Sequence, residues 1–216
     1  MNADYKNWVP LGMELGFGAA GSALAVGAVA SQKLPVSQNV KKFTGAALAL
    51  GAVGCLAWTG WCHIARKAFS YDGERQLSKQ IVEGTAEYVT LPEGGIGLDV
   101  GCGSGALTIA CAKRNPHAHI VGVDRWGAEY ASFSRARCEK NAAAEGVTNV
   151  SFKKGDACKL EFADESFDAV TSNYVYHNIT GQNKQKLLLE TLRVLKKGGT
   201  FAIHDLMSRA RYGCCI

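Results

Sequence analysis

Proline is scarce in this chain, with four in 216 residues, and no two of its eight cysteines stand in C-x-x-C spacing. The eight are Cys55, Cys62, Cys102, Cys111, Cys138, Cys158, Cys214 and Cys215, several of them in apolar runs. That pattern argues against a disulfide-stapled scaffold and for reduced, mostly buried thiols. No cysteine–histidine cluster has ligand spacing, so no metal site is expected. A concentrated basic stripe is missing too. The net charge is only +5, and the basic residues fall in scattered pairs such as Lys41-Lys42, Arg66-Lys67, Lys153-Lys154 and Lys196-Lys197. No nucleic-acid partner is expected from such a distribution.

Charge is absent altogether from two long stretches. Neither Gly16 to Gln32 nor Phe43 to Ala65 contains Asp, Glu, Lys or Arg. Each has about the length of a helix that crosses a bilayer core. The expected spans are about 12–32 and 43–65, within a hydrophobic region 1–65. Both are rich in Gly and Ala, which lets helices approach closely, and "GMELG" at 12–16 has G-x-x-x-G spacing. Trp58 and Trp61, followed by Arg66 and Lys67, resemble an interfacial anchor. The polar linker 31–42, with Pro35, reads as the turn of a helical hairpin. Three other readings stay open: a signal peptide with "AVA" at 28–30 as its cleavage site, a pair of soluble packing helices, or a span in the second run alone. Asp4 and Glu14 argue against the first. The expectation is membrane association through residues 12–65 with the remainder in the cytoplasm, although Lys33, Lys41 and Lys42 leave the topology open.

From about Tyr71 the pattern changes. Residues 73–89 carry Leu77, Ile81, Val82 and Val89 near helical spacing, which predicts a leading helix. Strand-like runs follow at 95–100, 119–124, 150–155, 167–172 and 199–205, with helical stretches at 105–114, 128–145 and 183–196. Strands alternating with helices predict an α/β domain, residues 66–216, around a doubly wound parallel sheet. This half has no internal repeat and no low-complexity tract.

The first strand ends in "LDVGCGSG", with glycines at 101, 103 and 105. In an open α/β sheet, ligands bind beyond the carboxyl ends of the strands. A plain strand-to-helix turn needs one glycine; three at alternate positions expose the backbone to a ligand. Gly101, Gly103 and Ala106 also satisfy the dinucleotide fingerprint, which keeps a nicotinamide oxidoreductase as a remote alternative. A longer set of features is similar to class I S-adenosylmethionine-dependent methyltransferases: "LDVGCGSG", "VGVDRW" (121–126), "KKGDACKL" (153–160), "FDAVTSNYVYHNI" (167–179) and "LLLETLRVLKKGGTFAIHDL" (187–206). Lys197 stands where that family usually has Pro. The likeness covers roughly 75–206, and motifs in the right order are more specific than one glycine loop.

The resemblance implies a Rossmann-like sheet that binds S-adenosyl-L-methionine and transfers its methyl group to a small-molecule acceptor. It assigns Asp99, Gly101, Cys102, Gly103 and Gly105 to the methionyl and loop side, Asp124 and Arg125 to the ribose, Asp156 and Ala157 to the adenine edge, and Asn173 to the methionine end. Asp99 is expected to face the methionyl ammonium, and Asp124 offers two acceptors to a ribose diol. His177 is the candidate general base, with Tyr174 and Tyr176 lining the pocket, against the plainer reading of a structural histidine at a helix start. A membranous front half points to a lipophilic acceptor such as a quinone or lipid precursor.

The chain departs from the family at its end. "LMSRARYGCCI" leaves no room for the usual final antiparallel strand pair, so strand 199–205 is expected at an apolar edge. That keeps a cofactor-binding but inactive protein as the main alternative. The closing "CCI" is not a prenylation box, since Gly213 is fourth from the end. Oligomeric state is not legible.

Overall fold

The computed structural model describes residues 2–127 and 132–206. Cys214, Cys215 and the closing tripeptide lie outside the described residues, as does the predicted start of a helix at 128–131. The chain divides into two compact units, Asn7–Ser78 and a second formed by residues 2–6 with 79 onward.

The first unit is a helical hairpin of α1 (Leu11–Ser31) and α2 (Gln38–Ala68). The helices run antiparallel: Glu14 meets His63, Gly18 lies by Thr59, and Gly21 lies by Leu56. Two glycines are tight: a Cβ at Gly21 would meet Leu56 Cγ at 2.9 Å, and one at Gly45 would meet Gln32 Nε2 at 2.3 Å. The G-x-x-x-G pair is not the contact, because Gly12 and Gly16 have nothing within 4 Å. Both helices are long and apolar enough to cross a membrane by length and composition, with mean hydropathy 1.4. Trp58 stacks on Trp61 at 5.0 Å and meets Phe17 at 6.0 Å. Beside them, at the ends of the hairpin, Glu14 pairs with His63 Nδ1 and Arg66 Nε at 2.9 and 3.0 Å.

The second unit is the predicted α/β fold. Its sheet has five parallel strands in the order β3-β2-β1-β4-β5: β1 (Ile96–Val100), β2 (His119–Asp124), β3 (Val150–Lys154), β4 (Phe167–Asn173) and β5 (Leu195–His204). Helices α3 (Leu77–Ala86), α4 (Ala106–Arg114), α5 (Arg135–Ala144) and α6 (Lys184–Val194) complete it, with α3 spanning the division between the units. Leu98, Val100, Val121, Val123 and Val170 form the core beside the central strands. Burial of these β-branched and leucine side chains on both faces is what a parallel sheet requires. Among the described residues no antiparallel strand joins this sheet, and β5 lies at its edge.

Three boundaries differ from expectation. α5 starts at Arg135 because extended Ser134 caps it, its hydroxyl accepting the Arg137 N–H. β5 begins at Leu195, so the expected glycine turn sits inside the strand as an irregularity: Leu195 pairs with Phe167 and Thr200 with Ala169, and Gly198 takes φ +78° between them. The leading helix is shorter than 73–89 and closes at Ala86.

Candidate functional site

β1 and β4 are adjacent but lie on opposite sides of the point where the strand order reverses, and ligands of such sheets bind at that point. Val100 is level with Ser172, so Gly101, just past β1, comes level with Asn173, the last residue of β4. Gly101 has φ +76°, and a Cβ there would meet Val175 Cγ2 at 2.2 Å. Left-handed backbone and close approach together exclude any other residue. The N–H groups of Gly101 and Cys102 donate to the Val123 carbonyl at 2.8 and 3.0 Å, which docks the loop on the end of β2.

Asp124 closes the loop from β2. Its Oδ2 accepts the Gly103 N–H at 2.8 Å and its Oδ1 accepts the Trp126 N–H at 2.7 Å. The Trp126 indole donates back to the Gly103 carbonyl at 2.9 Å. Trp126 holds φ +45°, and Tyr174, just past β4, holds +55°. Two large residues in left-handed backbone just past β2 and β4, the strands that flank β1, are strained positions of the kind that cluster at functional sites.

Asp99 differs from its expected role. It is 1% exposed, and its carboxylate accepts the hydroxyls of Thr108 at 2.6 Å and Thr171 at 3.1 Å. It braces the loop from beneath and does not line it. Burial pushes its carboxyl up to about 6, against the opposing effect of the two hydroxyls. Cys102 is likewise buried, and burial pushes its thiol well above the usual range, so it is a neutral packing group.

The residues after β3 form a compact turn. Asp156 Oδ1 accepts the Cys158 N–H at 2.8 Å, and its backbone carbonyl accepts the Lys159 N–H at 3.0 Å. The Cys158 N–H lowers its pKa, so Asp156 is an exposed carboxylate. Ala157 packs partly buried against the core. Arg125 is exposed just beyond Asp124.

At the end of β4, Asn173 Oδ1 is buried without a hydrogen-bond partner among the described residues. Such orphaned acceptors are uncommon, and one at a ligand-binding strand end calls for a donor. His177 lies in a short 3-10 turn, Tyr176–Asn178. Its Nδ1 is 2.6 Å from Asp205 Oδ1, and the Asp205 side chain is fully buried. Asp205 Oδ2 also accepts the Tyr176 N–H at 2.7 Å, and Lys184 Nζ binds the carbonyls of Tyr176 and Ile179. The turn is thereby pinned, and a proton on Nδ1 leaves Nε2 as the acceptor. Tyr174 meets His177 edge to face at 5.6 Å. Tyr176 does not line a pocket. It is fully buried, its hydroxyl pairs with Thr191 at 2.7 Å, and burial pushes its phenol up to about 12.

Sequence reasoning missed Trp126, Asp205 and Asn141. Trp126 sits two residues beyond a strand-end acid and Asp205 directly follows the last strand, which are signals that position supplies. Asn141, buried mid-helix and bonded to the Ser104 carbonyl at 3.0 Å, has no local signal.

Comparison with known proteins agrees with this geometry. The profile of a family described as "Methyltransferase domain" matches residues 93–211. An arsenite methyltransferase of Halobacterium salinarum is 35% identical over 116 residues, which cover 53% of this chain and 28% of that protein. A demethylmenaquinone methyltransferase of Lactobacillus johnsonii is 32% identical over 112 residues, covering 51% and 43%. The chain thus spans less than half the length of these relatives. Among solved structures, the PH0226 protein of Pyrococcus horikoshii shares the fold at TM-score 0.50 and 24% identity, covering 63% of this chain and 60% of that one.

Proposed function

The chain belongs to the methyltransferase-domain family, matched over residues 93–211, and from that premise we propose that it transfers a methyl group from S-adenosylmethionine to a small, lipophilic acceptor. The observation that carries the cofactor is the orphaned Oδ1 of Asn173, level with the Gly101 turn whose backbone leaves no room for a side chain. An ammonium group is the donor that such a buried acceptor lacks. Gly101, Gly103 and Gly105 would hold the methionyl part, Asp124 the ribose, and Asp156 with Ala157 the adenine edge. When bound, the cofactor supplies an electrophilic methyl group on a sulfonium.

The chain's own residues do the rest. Asp99, Thr108 and Thr171 tie β1, α4 and β4 together beneath the loop, which lowers the cost of orienting what it holds. His177 Nε2 would take the proton of the acceptor's hydroxyl, thiol or acidic carbon. Asp205 holds His177 in the tautomer that can do so. The lipophilic class is supported by the outward apolar faces of the hairpin and by the demethylmenaquinone named for one relative. We place the hairpin in a bilayer, with the ends bearing Glu14, His63 and Arg66 at its cytoplasmic face, where unpaired thiols such as Cys102 and Cys138 stay reduced.

The test is calorimetric binding of S-adenosylhomocysteine to the full chain in detergent micelles. Binding that weakens at least about thirtyfold in Asp124→Ala, the loss of two charge-assisted bonds, supports the proposal. A folded wild-type chain that binds none overturns it.

A further inference from the structure

The glycine loop has a second support on its far side from the strands, and part of it comes from the other end of the sequence. α5 holds two successive loop carbonyls. Cys138 Sγ donates to the Gly103 carbonyl at 3.2 Å, and one turn on, Asn141 Nδ2 donates to the Ser104 carbonyl at 3.0 Å. Positions three apart share a helix face, so both side chains reach the same loop. Asn141 is 2% exposed and Ser104 is equally enclosed, so neither group is paired with bulk water.

The remaining capacity of the Asn141 amide goes to Asp4. Its Oδ1 accepts the Asp4 N–H at 2.8 Å, and Nδ2 donates to the Asp4 carbonyl at 3.1 Å. One side chain therefore bonds the backbone of residue 4 in both directions and the cofactor loop in a third. The neighbours reinforce the seat. Arg137 Nη1 pairs with Asp4 Oδ2 at 2.7 Å, and the buried Tyr5 ring places its hydroxyl 3.2 Å from Glu145, which also binds Lys113. Every one of these contacts lies on α5, on α4 or at the C-terminal end of α5.

We infer that Asn141 is a positioning residue for the cofactor and that residues 2–6 act through it as the outer half of the glycine-loop support. The inference rests on the methyltransferase reading given above. A buried amide with three backbone partners has one orientation that satisfies them all. Without Asp4, its Oδ1 and one N–H lose their partners in the interior. The amide then rotates or admits water, and the Ser104 carbonyl loses its fixed donor. The loop's backbone geometry, which the strand side alone does not determine, relaxes with it. Cofactor affinity consequently depends on a segment far from any cofactor motif and directly preceding the helical hairpin in the chain.

The experiment compares the full wild-type chain, Asn141→Ala, a deletion of residues 2–6, and the two changes combined, all in the same detergent. Calorimetry with S-adenosylhomocysteine and amide hydrogen exchange of residues 101–106 are the readouts, with thermal midpoints as the measure of general damage. Asn141→Ala is expected to weaken binding about tenfold, the loss of a buried hydrogen-bonded anchor. The deletion is expected to weaken it about fivefold, and the combination no more than Asn141→Ala alone, because residues in one network do not add. Exchange at 101–106 quickens in all three, while the β3 amides keep their protection. Affinity within about twofold of wild type in both single variants, at a lowered thermal midpoint, makes the contacts merely structural and overturns the inference. Multiplying effects in the combination overturn the coupling between Asp4 and Asn141. A wild-type chain that binds no S-adenosylhomocysteine overturns the parent reading instead, and the exchange data still decide whether the segment holds the loop.

Discussion

In the α/β unit Val100 and Val170 are 0% exposed, whereas in the helical hairpin Phe43 is 80% and Leu50 74% exposed. Both units are rich in the same apolar residue types, and they dispose of them in opposite directions. The sheet surrounds its valines with helices and gains the usual stabilisation of burial, about 25 cal/mol per Å². The hairpin closes on a few small residues, such as Gly21 against Leu56 and Gly51 against Leu24, and leaves many large side chains outside. The proposed bilayer placement rests on that outward apolar face. Polar groups follow the same division. In the α/β unit they are buried and paired, as with Asp99, Asn141 and Asp205, while in the hairpin the ion pairs gather at its ends.

Charging the hairpin's outer face is the strongest way to break this contrast. Under the proposed bilayer placement, Val26→Arg with Leu50→Arg adds two charges at bilayer depth, an expected penalty of about 6 kcal/mol. Wild-type chain should float with phosphatidylcholine vesicles and the double variant should sediment. Equal flotation would remove the hairpin from the bilayer.

Two glycine-to-alanine changes sharpen the comparison, because the same methyl group meets different surroundings. Gly101→Ala places a Cβ against Val175 in left-handed backbone, an expected loss of about 4 kcal/mol together with S-adenosylhomocysteine binding. Calorimetry and thermal unfolding check it, and near-normal binding would mean that the loop is looser than its geometry. Gly54, in α2, has nothing within 4 Å, so Gly54→Ala should be neutral or stabilise by at most about 1 kcal/mol. That is the smallest effect considered.

Between these lies the buried carboxyl of Asp99. Its pKa in the fold, about 6, stands above its ordinary 3.8. Between those values the folded state binds the proton more tightly than the unfolded one. The contribution is therefore fully present below about pH 3.8 and is lost as pH rises through about 6, a change of roughly 3 kcal/mol. Carboxylates with lowered values, such as Asp168 held by Lys196 and Glu190 held by Arg193, act in the opposite sense. The stability of wild type relative to Asp99→Asn should thus fall from about pH 4 to about pH 6 and level off above it. Thermal midpoints of the two chains across that range measure it, and a constant difference would mean that Asp99 is not desolvated.

The placement of several candidate residues at strand ends was legible because it is set locally. The positive-φ glycines, Asp124 at the end of β2 and Asn173 at the end of β4 are each announced by a few neighbouring residues, and parallel pairing brings those strand ends together. Asp99 was misjudged because its partners, Thr108 and Thr171, come from α4 and β4, and no spacing within "LDVG" indicates which way its carboxylate turns. Tyr176 was misplaced for the same reason, since its direction depends on Thr191 of α6. The G-x-x-x-G pair at 12–16 had the right spacing on a face that meets nothing.

The sequence by itself determined the alternation of strands and helices, the parallel sheet, the glycine turn and the two long apolar helices, because periodicity, φ preference and apolar length act over a few residues. Only the tertiary structure decided which polar side chains face inward, that Asp205 holds His177, and that Asn141 joins residue 4 to the cofactor loop. Those pairings form between residues 28 and 137 positions apart. Hydrogen bonds at such separations depend on packing that no local pattern encodes.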